Sequence, residues 1–165
     1  MIRPLTKLDE PFLWETLYHA LYVPEGNPPF PKDIVNSRDI AKYVFGWGKV
    51  GDQGFVAIDE TSGLPVGAVW IRLFESANHG YGFVAEDIPE LSIALLPGHR
   101  NSGIGTQLLR HMIIEAATQF PGLSLSVGRD NPARRLYERL GFQLIKENGT
   151  SLTMLLKLRS LDSRL

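Results

Sequence analysis

The 165-residue chain predicts an α/β fold of the α+β kind, a mixed sheet with helices on its faces. Three observations carry this. Apolar residues recur at helical spacing around 8–23 and 104–120; short runs rich in β-branched residues stand between turn signals; and a glycine-rich turn joins one such run to a helix. The length suits a single domain spanning 1–165, because domains cluster near ~100–150 residues.

Residues 2–5 read as a short first strand. Leu8, Phe12, Leu13, Leu17, Ala20 and Leu21 line one face of a helix, which the proline-rich segment 24–31 ends. A second helix is expected over 37–45 with Ser37 as its cap. Strands follow at 54–59 and 66–73, joined by the hairpin-type connection 60–65. Residues 74–87 read as a loop, and 90–95 alternates as a strand.

A helix over roughly 103–119 places Ile104, Leu108, Met112 and Ala116 in one row. A strand at 123–127 leads to a short helix with clear ends: Asn131 as cap, Pro132 at its first position and Gly141 just past Leu140. Strands at 142–147 and 151–158 finish the chain.

Composition removes whole classes of function. Seventeen basic and 18 acidic side chains leave a formal charge of −1, which offers no electrostatic case for nucleic acid or an anionic membrane. With no cysteine, a disulfide, a cysteine metal site and a cysteine acyl-enzyme are all excluded. No metal is expected. The start of the chain lacks an apolar targeting segment, and no run approaches the ~20 apolar residues of a membrane span. A soluble, cytoplasmic protein is the expectation.

The stretch Leu95–Met112 carries the chemistry. Pro97, Gly98, Gly103 and Gly105 surround Arg100 just before a helix start. The first N–H groups of a helix lack intrahelical partners and its dipole favours negative charge, so such a turn suits an anion. Gly103 and Gly105 leave its backbone open to close approach, and Arg100 adds a charged donor. A pyrophosphate is the expected ligand. A Walker loop fails because Ile104 stands where its lysine belongs, and a dinucleotide fingerprint fails at Leu108.

One helix and one strand later comes Asn131-Pro132-Ala133-Arg134-Arg135-Leu136-Tyr137-Glu138-Arg139-Leu140-Gly141-Phe142. Together, Arg100-x-x-Gly103-x-Gly105 and this run resemble the pyrophosphate pattern and following helix of the GNAT superfamily of acyl-CoA-dependent N-acyltransferases. The resemblance covers about 54–158 in element order and is strongest over 90–142. It implies a mostly antiparallel sheet of about seven strands with about four helices, splayed between the fourth and fifth strands.

It also implies acetyl-CoA as co-substrate. The pantetheine would pair with the backbone of Ile93, Ala94 and Leu95. Asn101, Ser102, Gly103, Ile104, Gly105 and Thr106 would hold the pyrophosphate, while Arg100 pairs with it or orients the turn. Tyr137 is the implied proton donor to the CoA sulfur, and Glu90 the implied base for the amine, directly or through water. Asn131 stands between cofactor contact and cap. Phe30, Glu75 and Tyr81 lie in segments expected to face the acceptor, a primary amine of a small molecule or peptide. The alternative is a non-catalytic acyl-CoA-binding regulatory module. A homodimer through the strands of 142–158 stays open.

Overall fold

The computed structural model describes residues 1–158; positions 159–165 of the predicted domain range lie outside them. The described residues form two compact units. One comprises Met1–Arg72 with Ser92–Met112, and the other Leu73–Leu91 with the described residues from Ile113 onward.

In the first unit, β1 (Ile2–Pro4) runs antiparallel to β2 (Gln53–Ile58), which runs antiparallel to β3 (Pro65–Arg72). The β2–β3 turn closes on Asp59, whose carboxylate accepts the Ser62 hydroxyl (2.8 Å) and the Thr61 and Ser62 N–H groups. These contacts hold Asp59 below the usual carboxylate range. A 3-10 turn, Lys7–Asp9, precedes α1 (Glu10–Ala20). Its start is fixed because Asp9 accepts the Thr6 N–H (2.8 Å) and a bidentate Arg3 (2.9 Å to each oxygen). Leu13 and Leu17 of α1 join Val44, Val56, Val69 and Trp70 in the buried interior.

The second predicted helix is shorter than expected: α2 spans only Arg38–Ala41. The chain continues in turns over residues 42–46, which β3 ties down. Arg72 Nη1 donates to the carbonyls of Lys42 (2.9 Å) and Phe45 (2.7 Å), and Trp70 Nε1 donates to Tyr43 O (3.0 Å). In the predicted helix the last four carbonyls, 42–45, would have no intrahelical partner, so these bonds from β3 cap three of them. Ser37 occupies the cap position, but its side chain makes no capping bond. A 3-10 segment at Lys32–Asn36 was not legible in the sequence.

β4 (Glu90–Leu95) and α3 (Ile104–Ala117) contribute residues to both units. Of the predicted row on α3, Leu108, Met112 and Ala116 are fully buried and Ile104 is half-buried; Leu109 beside it is also fully buried.

The second unit holds the loop after β3 and the elements β5 (Gly122–Gly128), α4 (Ala133–Arg139), β6 (Gln143–Asn148) and β7 (Ser151–Lys157). β7 pairs antiparallel with both β5 and β6. β5 also pairs with the start of β4, in parallel, at Glu90↔Ser124. Among the described residues the hydrogen-bonded order is β1-β2-β3-β4-β5-β7-β6, a mixed and mostly antiparallel seven-stranded sheet with four α-helices. No described helix is long and apolar enough to cross a membrane.

Candidate functional site

The glycine-rich turn belongs to the first unit. After β4 the chain tightens through the His99 N–H on Leu96 O (3.1 Å) and the Ser102 hydroxyl on His99 O (2.7 Å). Asn101 (φ +60°) and Gly103 (φ +86°) both take left-handed backbone conformations. Asparagine tolerates this among residues with side chains, whereas glycine adopts it freely. The helix begins when Gln107 N–H bonds Gly103 O (3.1 Å). The N–H groups ahead of Gln107 lie in the first turn, where helix geometry leaves them without intrahelical partners.

The two glycines differ. A Cβ on Gly103 would meet nothing within 4 Å, so open space lies before the turn, but its φ makes any side chain strained. A Cβ on Gly105 would find ordinary contact with Leu95 Cδ2 at 3.5 Å, without backbone strain. Arg100 Nε donates to Leu95 O (3.3 Å), joining the predicted cation to the strand the turn leaves. Ile93 and Leu95 are half-buried and Ala94 is buried. Asn101 and Ser102 are exposed, while Ile104, Gly105 and Thr106 are half-buried.

His19, which sequence reasoning did not single out, feels this turn electrostatically. Burial first, then the positive charges of Arg100 and Lys32, hold its imidazole below the usual range, with Glu15 opposing. A cavity of about 270 Å³ adjoins the turn, lined in part by Met1, Asp59, His99 and Gln107. Of the predicted site residues only Ile104 borders it.

The second unit holds the predicted acid and base. Glu90 is not a solvated strand-end carboxylate: it is only 3% exposed. Its Oε2 accepts the N–H of Gly82 at 3.1 Å. Ser124, its register partner on β5, is completely buried, and the Ser124 hydroxyl has no partner among the described residues.

Tyr137 owes its position to the way α4 ends. Phe142 N–H bonds Tyr137 O (3.0 Å) and Gly141 N–H bonds Glu138 O (3.0 Å). This is a Schellman closure, with Gly141 at φ +105°. The same motif brings the Tyr137 and Phe142 rings together edge to face, with centroids 6.0 Å apart. Burial pushes the Tyr137 phenol up to about 12, although part of the side chain still reaches solvent. Its proton is therefore retained throughout the neutral range.

At the other end of α4, Asn131 Oδ1 accepts the Ala133 N–H (2.9 Å), so its carboxamide oxygen caps the helix. The helix proper starts at Ala133, one residue beyond the predicted start at Pro132.

The predicted acceptor-facing residues fall in different units. Phe30 is partly exposed, and its carbonyl accepts the Tyr18 hydroxyl (2.6 Å). Glu75 and Tyr81 are exposed on the loop after β3. That loop is braced where Glu86 accepts the Ser76 N–H (2.8 Å) and where His79 stacks on Phe83 at 4.6 Å. Among the described residues no group of three or more His, Asp or Glu side chains is gathered as metal ligands would be.

Comparison with known proteins agrees with this architecture. Residues 51–144 match the family model of the acetyltransferase (GNAT) domain. Among solved structures, the putative acetyltransferase yncA of Salmonella typhimurium, determined with acetyl-CoA, is 21% identical, with a TM-score of 0.68 over 97% of this chain and 94% of that one. The ribosomal-protein-S18-alanine N-acetyltransferase of Escherichia coli is 19% identical, with a TM-score of 0.65 over 100% and 97%. A spermidine N-acetyltransferase chimera built from the Vibrio cholerae and hSSAT proteins is 20% identical, with a TM-score of 0.60 over 96% of each chain. No curated protein matches the chain. With the family model covering more than half its length, the chain belongs to the acetyltransferase (GNAT) domain family.

Proposed function

We propose that the protein is a single-domain N-acetyltransferase that moves an acetyl group from acetyl-CoA to a primary amine of a small molecule or peptide, by direct attack in a ternary complex. The observation that carries this is the turn at Gly103. A left-handed glycine with open space before it stands at a helix start beside Arg100, whose Nε donates to Leu95 O. That arrangement fits a pyrophosphate, with N–H groups of the turn and helix start from Asn101 to Thr106 as donors and Arg100 as charge. Ile93, Ala94 and Leu95 supply the strand backbone for the pantetheine.

Acetyl-CoA supplies an activated thioester. The chain must then accept a proton from the amine, stabilise an oxyanion and return a proton to sulfur. Glu90 is the base, its carboxylate oriented by the Gly82 N–H. A backbone N–H near Leu95 serves the oxyanion. Tyr137 donates the last proton. A phenol at about 12 is a weaker acid than a free thiol near ~8.5, but the burial that raises one raises the other when both share a dry site.

The acceptor segments are those bearing Phe30, Glu75 and Tyr81. Acidic and aromatic side chains there suit a cationic amine with an apolar body. The edge strand β6, exposed along its whole length, supports a second copy of the chain as a partner; light scattering that shows only monomer at assay concentration would remove that element.

The test is release of free CoA from acetyl-CoA in the presence of spermidine, a short peptide beginning with alanine, or free amino acids. Turnover with at least one amine is the expected result. Tight acetyl-CoA binding with no turnover across all three classes would favour the non-catalytic module instead.

A further inference from the structure

Gly82 lies in the loop after β3, between exposed Tyr81 and half-buried Phe83, yet it is buried. A Cβ built on it would stand 2.5 Å from the Leu125 carbonyl carbon, 2.6 Å from Ser126 N and 2.8 Å from Leu125 O. All three are backbone atoms of β5, tied on the far side by β7, so none can swing away as a long side chain would. The φ of Gly82 is not in the left-handed region, so space alone demands glycine here. From this position its N–H reaches the buried Glu90 carboxylate at 3.1 Å. Glu90 stands opposite Ser124, the β5 residue just before the backbone on which Gly82 rests.

We infer that Gly82 is a positioning residue for acyl transfer: its missing side chain lets the loop lie directly on β5, and its N–H fixes the carboxylate of Glu90 in the orientation a base requires. The inference rests on the reading of Glu90 as the base. It also links two functions along the chain, because Tyr81, one residue away, lies on the predicted acceptor loop. An acceptor that shifts this loop moves the donor that aligns the base. Misplacing a catalytic group by about 1 Å costs on the order of 10²-fold in rate.

The test has two arms. In the first, the Gly82 amide resonance and its hydrogen exchange are compared in wild type, Glu90→Gln and Glu90→Asp, with no ligand. Glu90→Gln keeps an acceptor at the same reach, whereas Glu90→Asp withdraws the carboxylate. Exchange about tenfold or more faster in Glu90→Asp than in Glu90→Gln is expected, and equal exchange in all three proteins would overturn the contact.

The second arm is a double-mutant cycle between Gly82→Ala and Glu90→Gln, using the fastest amine from the CoA-release assay. Gly82→Ala is expected to lower kcat by about 10–100-fold, to leave the KM for acetyl-CoA within about twofold, and to add less than about twofold in the Glu90→Gln background. The same loss in both backgrounds would show that Gly82 acts elsewhere. Should Gly82→Ala fail to fold, Glu90→Asp replaces it in the rate assay, and a wild-type rate there would overturn the alignment. A Glu90→Gln protein with full activity would instead remove Glu90 as base, which is a failure of the reading beneath.

Discussion

Tyr137 shows why one side chain can answer to two requirements. As the third residue from the end of α4 it supplies the ring that packs on Phe142 in the Schellman closure, so the spacing Tyr-x-x-x-Gly-Phe is a helix stop in its own right. The proposed role as proton donor needs only its hydroxyl. Tyr137→Phe is therefore expected to keep the ring contact and the fold, to lower kcat by ~10²–10³-fold, and to leave acetyl-CoA affinity within about threefold. Steady-state kinetics with calorimetry check this, and an unchanged kcat would remove Tyr137 from the mechanism. The raised phenol adds a pH signature. Its pKa is near ~10 unfolded and about 12 folded, so its contribution to stability is intact below pH ~10 and is lost as pH rises toward about 12. Urea midpoints at pH 9 and pH 11 should fall more for wild type than for Tyr137→Phe. The spacing of this residue was legible in the sequence because a helix stop is local. Gly82 was not, since its reason for being glycine is the backbone of a strand more than 40 residues later.

At the level of elements, sequence patterning located every strand and the two long helices, because alternation and 3.6-residue periodicity report burial directly. What it missed was decided by tertiary contacts. Beyond Ala41 the chain runs on in turns, and Arg72 and Trp70, from a strand far along the chain, cap the carbonyls of Lys42, Tyr43 and Phe45. Arg72 is itself held by Asp52 through two bonds of 3.1 and 2.8 Å, and both side chains are more than nine-tenths buried. Asp52 also accepts the N–H groups of Gly48 and Lys49, each at 2.9 Å. Removing one partner of a buried pair strands the other charge, so Asp52→Ala should destabilise the protein by about 3–5 kcal/mol in urea denaturation. A loss below ~1 kcal/mol would mean that the segment from Lys42 to Asp52 is held by its apolar residues alone.

For the whole molecule, family and fold follow from the matched domain and the sheet order, while the proposed reaction rests on the turn that begins α3. Both motifs were readable because each sits within a dozen consecutive residues. The burial of Glu90 was not, because a carboxylate at a strand end looks the same in sequence whether a loop covers it or not. The central claim is that Gly103 opens the helix start to a pyrophosphate. Replacing it with valine forces a side chain into a left-handed backbone at a cost of about 1–2 kcal/mol and fills the space before the turn. Gly105→Ala, by contrast, should keep binding, since its Cβ meets only Leu95 at ordinary distance. The most direct measurement is calorimetric titration of wild type, Gly103→Val and Gly105→Ala with acetyl-CoA, each first shown to be folded by thermal melting. One-to-one binding by wild type and Gly105→Ala, weakened at least ~100-fold in Gly103→Val, is the expected result. No heat from wild type, or equal affinity in a folded Gly103→Val protein, would contradict the account.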